Sequence, residues 1–223
     1  MKRYELLVFD WDGTLMDSAS EIVSTMQQAI QGIGLPERTP EQMRELIGLG
    51  INEVLARLFP DLDTQSVRAR LERYRARYGV KRSKAKLFGP VKSALEELRD
   101  QGYVMAVATG KGRRGLDAAM MSTATRDFFR FTRCADESVP KPAPDMLEEL
   151  LLRAATLPAQ ALMIGDTEYD MAMARAAGVD AVGVACGVHD SARLRRAGAI
   201  DVLGTVEHLP AWLEGRDRCA DSA

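Results

Sequence analysis

Short unbroken apolar runs recur along the chain, and each gives way to a polar residue or a glycine. Leu6-Leu7-Val8-Phe9 runs into Asp10, Tyr103-Val104-Met105-Ala106-Val107-Ala108 into Thr109-Gly110, and Ala161-Leu162-Met163-Ile164 into Gly165-Asp166. Ala181-Val182-Gly183-Val184-Ala185 ends before Cys186-Gly187, and Phe129 to Cys134 is a less regular run. Runs without polar alternation suit strands buried on both faces of a parallel sheet. Helices fill the intervals: Val91 to Gln101 is closed by Gly102, Asp145 to Ala155 follows Pro144, and Glu168 to Ala177 is closed by Gly178. Strand, helix and strand repeating every ~25–35 residues predict βαβ units with right-handed crossovers. The expected fold class is α/β, a doubly wound parallel sheet.

Residues 17–82 break this rhythm. They hold no convincing strand but four helical stretches, near 18–31, 40–47, 51–58 and 64–78, punctuated by Gly32-Ile33-Gly34-Leu35-Pro36, Gly48-Leu49-Gly50 and Pro60-Asp61. In the last stretch Val67, Leu71, Tyr74 and Tyr78 form an apolar helical stripe. The organisation expected is an α/β core from residues 1–16 and 83–223, with 17–82 inserted as a small helical domain. After Gly215 the chain is polar, and fraying is expected there.

Composition narrows the class without changing the fold. The 223 residues are 46% hydrophobic and 28% charged, an ordinary globular profile. Thirty basic against 32 acidic residues give a net charge of -2, which argues against a dedicated nucleic-acid or anionic-membrane binder. Cys134, Cys186 and Cys219 are too scattered for a disulfide framework or a structural zinc knuckle. The apolar stretch before Asp10 is too short for a secretory signal, and no window reaches the ~18 apolar residues of a membrane span. A reduced, cytoplasmic protein is the expectation.

Chemistry gathers where strands are expected to end, and in an open α/β sheet the ligand crevice lies at the carboxyl ends of the strands. In Asp10-Trp11-Asp12-Gly13-Thr14 the two carboxylates leave the strand on one face, roughly 6–7 Å apart. One could attack a phosphorus atom in line while the other protonates the departing oxygen, since a carboxylate is a competent phosphoryl acceptor. Such a string arises by chance in a chain of this length with a probability of order ~10⁻³, although Asp-Gly is also a common solvated turn. Gly165-Asp166-Thr167-Glu168-Tyr169-Asp170 adds a second carboxylate pair; if Asp166 meets Asp10, repulsion demands a cation, and few hard oxygen ligands suit Mg²⁺ better than zinc. Asp170 could equally sit in the first turn of its helix or in an outer shell. Thr109, with Gly110-Lys111-Gly112 after it, offers a hydroxyl and exposed N–H groups to phosphate; the segment is not a P-loop, because Met105 stands where that motif needs glycine. Lys141 lies in Pro140-Lys141-Pro142-Ala143-Pro144, a stiff loop that would present its ammonium with little freedom to lose.

These residues, in this order, resemble the haloacid dehalogenase superfamily, specifically its phosphoglycolate-phosphatase-like group with an α-helical cap after the first strand. The resemblance rests on Phe9-Asp10-Trp11-Asp12-Gly13-Thr14-Leu15, Ala108-Thr109-Gly110, Lys141-Pro142 and Gly165-Asp166 to Asp170, and spans nearly the whole chain. It implies Asp10 as nucleophile, Asp12 as general acid/base, and Thr109, Gly110 and Lys141 on phosphate. It further implies Mg²⁺ held by Asp10, the Asp12 carbonyl and Asp166, with a small-molecule phosphomonoester as substrate. The second aspartate favours phosphate-ester over carbon–halogen or carbon–phosphorus cleavage. Trp11 stands where an aliphatic residue is more usual, and Gly110 where many relatives carry asparagine.

Other readings stay open: a phosphomutase, phosphotransferase or pyrophosphatase on the same scaffold, or a binding module that has lost catalysis. Gly48-Leu49-Gly50 is either a cap loop entering the crevice or a plain helix–helix turn. Nine basic residues between Val67 and Lys86, against Glu72 alone, suggest a solvated cap face more than an RNA surface. His189 is expected at the surface, and Met120, Met121, Met171 and Met173 in the core.

Overall fold

The computed structural model describes residues 2–78 and 84–220. In chain order the elements are β1 (Leu6–Phe9), β2 (Met16–Asp17), α1 (Ala19–Gly32), α2 (Pro40–Arg44), α3 (Ile51–Leu58), α4 (Thr64–Tyr78), β3 (Lys86–Leu87) and α5 (Val91–Asp100). There follow β4 (Val104–Thr109), α6 (Arg113–Thr123), β5 (Phe131–Cys134), α7 (Asp145–Ala154), β6 (Ala161–Gly165), α8 (Glu168–Ala176), β7 (Asp180–Val184), α9 (Ser191–Ala197), β8 (Asp201–Leu203) and α10 (Leu209–Ala220). Six strands pair in the order β5-β4-β1-β6-β7-β8, all parallel, as the apolar runs require.

Side-chain alternation along β1 explains both layers of the core. Leu7 and Phe9 face one side, where Leu95, Leu98, Leu116, Met120, Leu209 and Leu213 bury them. Leu6 and Val8 face the other, against Met146, Leu147, Leu150, Met163 and Met173. Each fully buried aliphatic side chain contributes about 1.5–3 kcal/mol. The chain leaves β1 toward β4 and β5 and then jumps back across to β6. That reversal sets a topological switch point beside β1, where the carboxyl ends of β1, β4 and β6 open a crevice.

Helices α1 to α4 pack around Val23, Ile30, Met43, Val54, Leu55, Leu58, Phe59, Val67 and Leu71, a third cluster that Tyr169 of α8 joins from the sheet side. A short antiparallel pair, Met16 with Leu87 and Asp17 with Lys86, stitches together the two chain crossings beside them. The expected 82/83 boundary, Lys81 and Arg82 lie outside the described residues, as do the side chains of Tyr78, Arg75 and Cys219. The stretch expected at 40–47 is helical only to Arg44, after which Leu46 and Ile47 continue in tighter turns with N–H bonds to the Met43 and Arg44 carbonyls.

Three expectations are corrected. The tail does not fray after Gly215: α10 continues to Ala220, and Asp217 accepts from the Arg3 N–H at 2.9 Å and the Tyr103 hydroxyl at 3.3 Å. Met121 is 82% exposed, one position beyond the buried face of α6 that carries Met120. His189 is buried, and its surroundings belong to the site.

Candidate active site

The end of β1 delivers Asp10, β4 delivers Thr109, β6 delivers Asp166, and α8 starts with Asp170 three residues into its capping box with Thr167. All four are buried, together with Lys141. Oxygens of Asp10, Asp166 and Asp170 lie within 4.8 Å of one another, so residues 156 positions apart meet in one cluster. Gly13 permits it: at φ +88° its missing Cβ leaves room for the Asp166 carboxylate, whose Cγ would lie 2.7 Å from that atom.

Lys141 is the cation of this cluster. Its Nζ lies 2.6 Å from Asp10 Oδ1 and 2.6 Å from Asp170 Oδ1, with all three side chains at most 1% exposed. Burial lowers the affinity of this amine for a proton, but the two carboxylates outweigh it and hold its pKa above the ordinary value. Asp10 feels burial most; it pushes the carboxyl up to about 7 even though Lys141 pulls it down. Asp166 is raised well above the usual carboxylate range by burial and then by Asp10 and Asp170. Thr14 donates to Asp166 Oδ1 at 2.8 Å and the Val188 N–H to Oδ2 at 2.8 Å, fixing its plane. Asp170 Oδ2 accepts from the Thr167 N–H at 3.0 Å and hydroxyl at 2.7 Å. Asp10 Oδ2, by contrast, is buried and has no partner.

The cluster fits a hard divalent cation. Three carboxyl groups face one ammonium, the donor atoms are oxygens alone, and Asp10 Oδ2 has neither a hydrogen bond nor an ion pair, so a divalent cation would offset the repulsion that raises these acids. No histidine or cysteine side chain belongs to this group.

Asp12 lies at the rim of the cluster. Its Oδ1 accepts from the Ser18 hydroxyl at 2.6 Å and its Oδ2 pairs with Lys111 Nζ at 2.9 Å. Thr109 is buried, and its Oγ1 accepts from the Lys111 N–H at 3.1 Å. Trp11, fully buried, turns away from the crevice to Met16 Sδ and the edge of Phe129.

Residues 48–50 reach the crevice rather than forming a remote helix–helix turn. A Cβ added to Gly110 would overlap the carbonyl oxygen of Gly48 and lie 2.8 Å from that of Leu49, so backbone of the inserted helices rests directly on the β4 loop. Beside this contact Arg44 donates to the Gly187 carbonyl at 2.9 Å, and the Tyr169 hydroxyl donates to that of Glu45 at 2.9 Å. Arg193 bridges Glu45 at 2.5 Å and Glu168 at 2.8 Å. His189 is walled in by this network: its Nδ1 accepts from the Glu168 N–H at 2.9 Å, its ring meets Tyr169 edge-on, and burial holds its pKa below the ordinary value. The expected surface position failed because the strand end before His189 folds back over Asp166 and not outward.

Of the residues expected at the crevice, Asp10, Lys141, Asp166 and Asp170 meet in one cluster, Asp12 and Thr109 are linked to each other through Lys111, and Gly110 lies against Gly48 and Leu49. Sequence reasoning passed over Thr14, Ser18, Lys111 and the backbone of Val188. Thr14 and Lys111 stand inside the motifs already singled out; Ser18 and Val188 carried no sequence signal of their own.

An open parallel sheet whose strand ends gather buried acids around one ammonium, beside a bundle of inserted helices, defines an α/β enzyme core with a metal-competent crevice. The model of the haloacid dehalogenase-like hydrolases matches residues 7–184. A phosphoglycolate phosphatase of Aliivibrio fischeri is 32% identical over 185 residues, covering 78% of this chain and 81% of that protein. One of Pseudomonas putida is 29% identical over 98% of this chain and 80% of its own length. A haloacid dehalogenase-like hydrolase from Streptococcus pneumoniae superposes with a TM-score of 0.80 at 25% identity, over 95% of this chain and 99% of that one. The chain belongs to the haloacid dehalogenase-like hydrolase family, and it is phosphoglycolate-phosphatase-like.

Proposed function

We propose that the protein is a Mg²⁺-dependent phosphatase that hydrolyses a small-molecule phosphomonoester through an aspartyl-phosphate on Asp10. The observation that carries this reading is the asymmetry of Asp10: Oδ1 is anchored by Lys141 at 2.6 Å, while Oδ2 is desolvated and unpartnered. A carboxylate held this way is oriented for attack with no hydration shell to shed.

In this reading Asp10 Oδ2 attacks phosphorus, and Lys141, Thr109 and the N–H groups after it bind the phosphoryl oxygens. Asp12 gives a proton to the leaving alkoxide and then takes one from the water that attacks the acyl phosphate. Asp10, the Asp12 carbonyl and Asp166 would hold Mg²⁺, which would supply further neutralisation of the phosphoryl charge. Asp170, whose oxygens are taken by Lys141 and Thr167, orients the lysine from an outer shell. Helices within 17–82 act as a cap whose 48–50 loop excludes bulk water from the crevice. The relatives named phosphoglycolate phosphatase support a small ester as substrate.

A phosphate-release screen over small phosphomonoesters, with MgCl₂ or with EDTA and no acceptor sugar, tests the reading. Free phosphate released only with the metal is expected. Transfer that occurs only to an added acceptor would make the protein a phosphotransferase, and no turnover on any ester would remove the phosphatase assignment.

A further inference from the structure

The Lys111 side chain pairs with none of the three clustered acids, yet it is placed with care. Its stem runs across the first turn of α6 and ends 2.9 Å from Asp12 Oδ2, with the lysine side chain 22% and the aspartate 9% exposed. The path exists because residue 115 is glycine. A Cβ there would lie 3.0 Å from Lys111 Cγ and 3.3 Å from Cδ, so an alanine would make the stem give by a few tenths of an ångström. Glycine inside a helix costs about 0.5–1 kcal/mol relative to alanine. The first turn of α6 carries that cost where no turn or positive φ requires it. The opposite oxygen of Asp12 is held by Ser18 at 2.6 Å, on the residue that precedes α1. One carboxylate is thus gripped from both sides, by the core loop after β4 and by the first residue leading into the inserted helices.

We infer that Lys111 is a positioning residue: with Ser18 it fixes the Asp12 carboxylate toward the leaving group, and Gly115 is the space that lets it do so. The inference rests on the phosphatase reading above. Its consequence is selective. An alkoxide leaving group needs the proton that Asp12 delivers, whereas p-nitrophenolate leaves without much help. General acid assistance is worth about 10²–10⁴-fold, and losing the geometry forfeits part of it.

The test compares kcat/KM, which reports steps through leaving-group departure, for an alkyl phosphate and for p-nitrophenyl phosphate. Lys111→Met should lower the alkyl value about 10–100-fold and the aryl value less than about 3-fold; Lys111→Arg should recover most of the alkyl activity. Gly115→Ala gives the independent arm: the thermal midpoint should hold or rise, since alanine favours the helix, while the alkyl-to-aryl ratio drops in the direction of Lys111→Met. Equal losses on both esters or an unchanged alkyl rate in Lys111→Met would overturn the positioning role, and a wild-type ratio in Gly115→Ala would remove Gly115 from it. Failure of the phosphatase reading looks different, because the wild-type protein would then release phosphate from neither ester.

Discussion

Replacing Lys141 by methionine keeps the stem and removes one charge from a fully buried cluster. Its ammonium compensates Asp10 and Asp170 at 2.6 Å each, with nothing more than 1% exposed. Truncating one partner of a buried pair costs about 3–5 kcal/mol, because the charge left behind has neither water nor a counter-ion. Two carboxylates lose their partner here, which pushes toward the upper end. Proton uptake by Asp10, whose pKa already stands at about 7, sets a ceiling on the loss near neutral pH. The lysine's own pKa is raised above its unfolded value, so its contribution is intact throughout the neutral range and lost only as pH rises through alkaline values. Urea unfolding at pH 7.5 in EDTA should therefore show a drop of about 3–5 kcal/mol with an unchanged m-value. MgCl₂ should stabilise the variant in turn, by about 2.7 kcal/mol at a hundred times Kd. A loss below about 1 kcal/mol in EDTA would mean that the cluster is solvated, and the electrostatic account of the crevice would fail.

Two further outcomes follow from the same geometry. Gly110→Ala would set a methyl group against the Gly48 and Leu49 carbonyls and displace the cap loop by up to roughly 1 Å; a misplacement of that size costs about 10²-fold in catalysis. Initial rates should fall by that order and the thermal midpoint should drop as well, since the clash is with backbone; wild-type turnover would show that loop contact is incidental. The pH dependence of metal stabilisation is the second. Asp10 and Asp166 have folded pKa values raised above the ordinary carboxylate value, so the stability their protons confer is full below about pH 4 and is lost as pH rises through the raised values. A metal competes with those protons, so the increase in urea midpoint caused by MgCl₂ should be larger at pH 8 than at pH 6. An increase independent of pH would contradict metal binding at these acids.

The fold was legible wherever burial on both sides of the sheet forces an unbroken apolar run, which is why β1, β4, β6 and β7 stand within a residue of their expected limits. It was illegible where an element buries little. β8 is three half-buried residues, and α9 buries Leu194 alone among its arginines. α6 opens with Arg113-Arg114-Gly115 and no side-chain cap, so neither propensity nor a start signal marks it. At the site, residue types and their spacing named the participants, since phosphoryl chemistry needs acids, a cation and hydroxyls at strand ends. The pairings were not readable: that Lys141 joins Asp10 to Asp170, and Lys111 meets Asp12, depends on loop paths between distant strands. His189 went to the wrong environment because one histidine in a polar loop says nothing about which helix will cover it.

The account depends most on Asp10 becoming phosphorylated, and trapping that species addresses it directly. The Asp12→Asn variant, slowed in hydrolysing the acyl phosphate, would be mixed with MgCl₂ and p-nitrophenyl phosphate, whose leaving group needs little protonation, quenched in acid within the first turnover, and digested for mass spectrometry. One added phosphoryl group on the peptide carrying Asp10, lost on mild alkaline treatment and absent from Asp10→Asn, is the predicted result. Turnover of substrate by the wild-type protein with no phosphoryl group on Asp10 at any quench time, or with one on another residue, would contradict it.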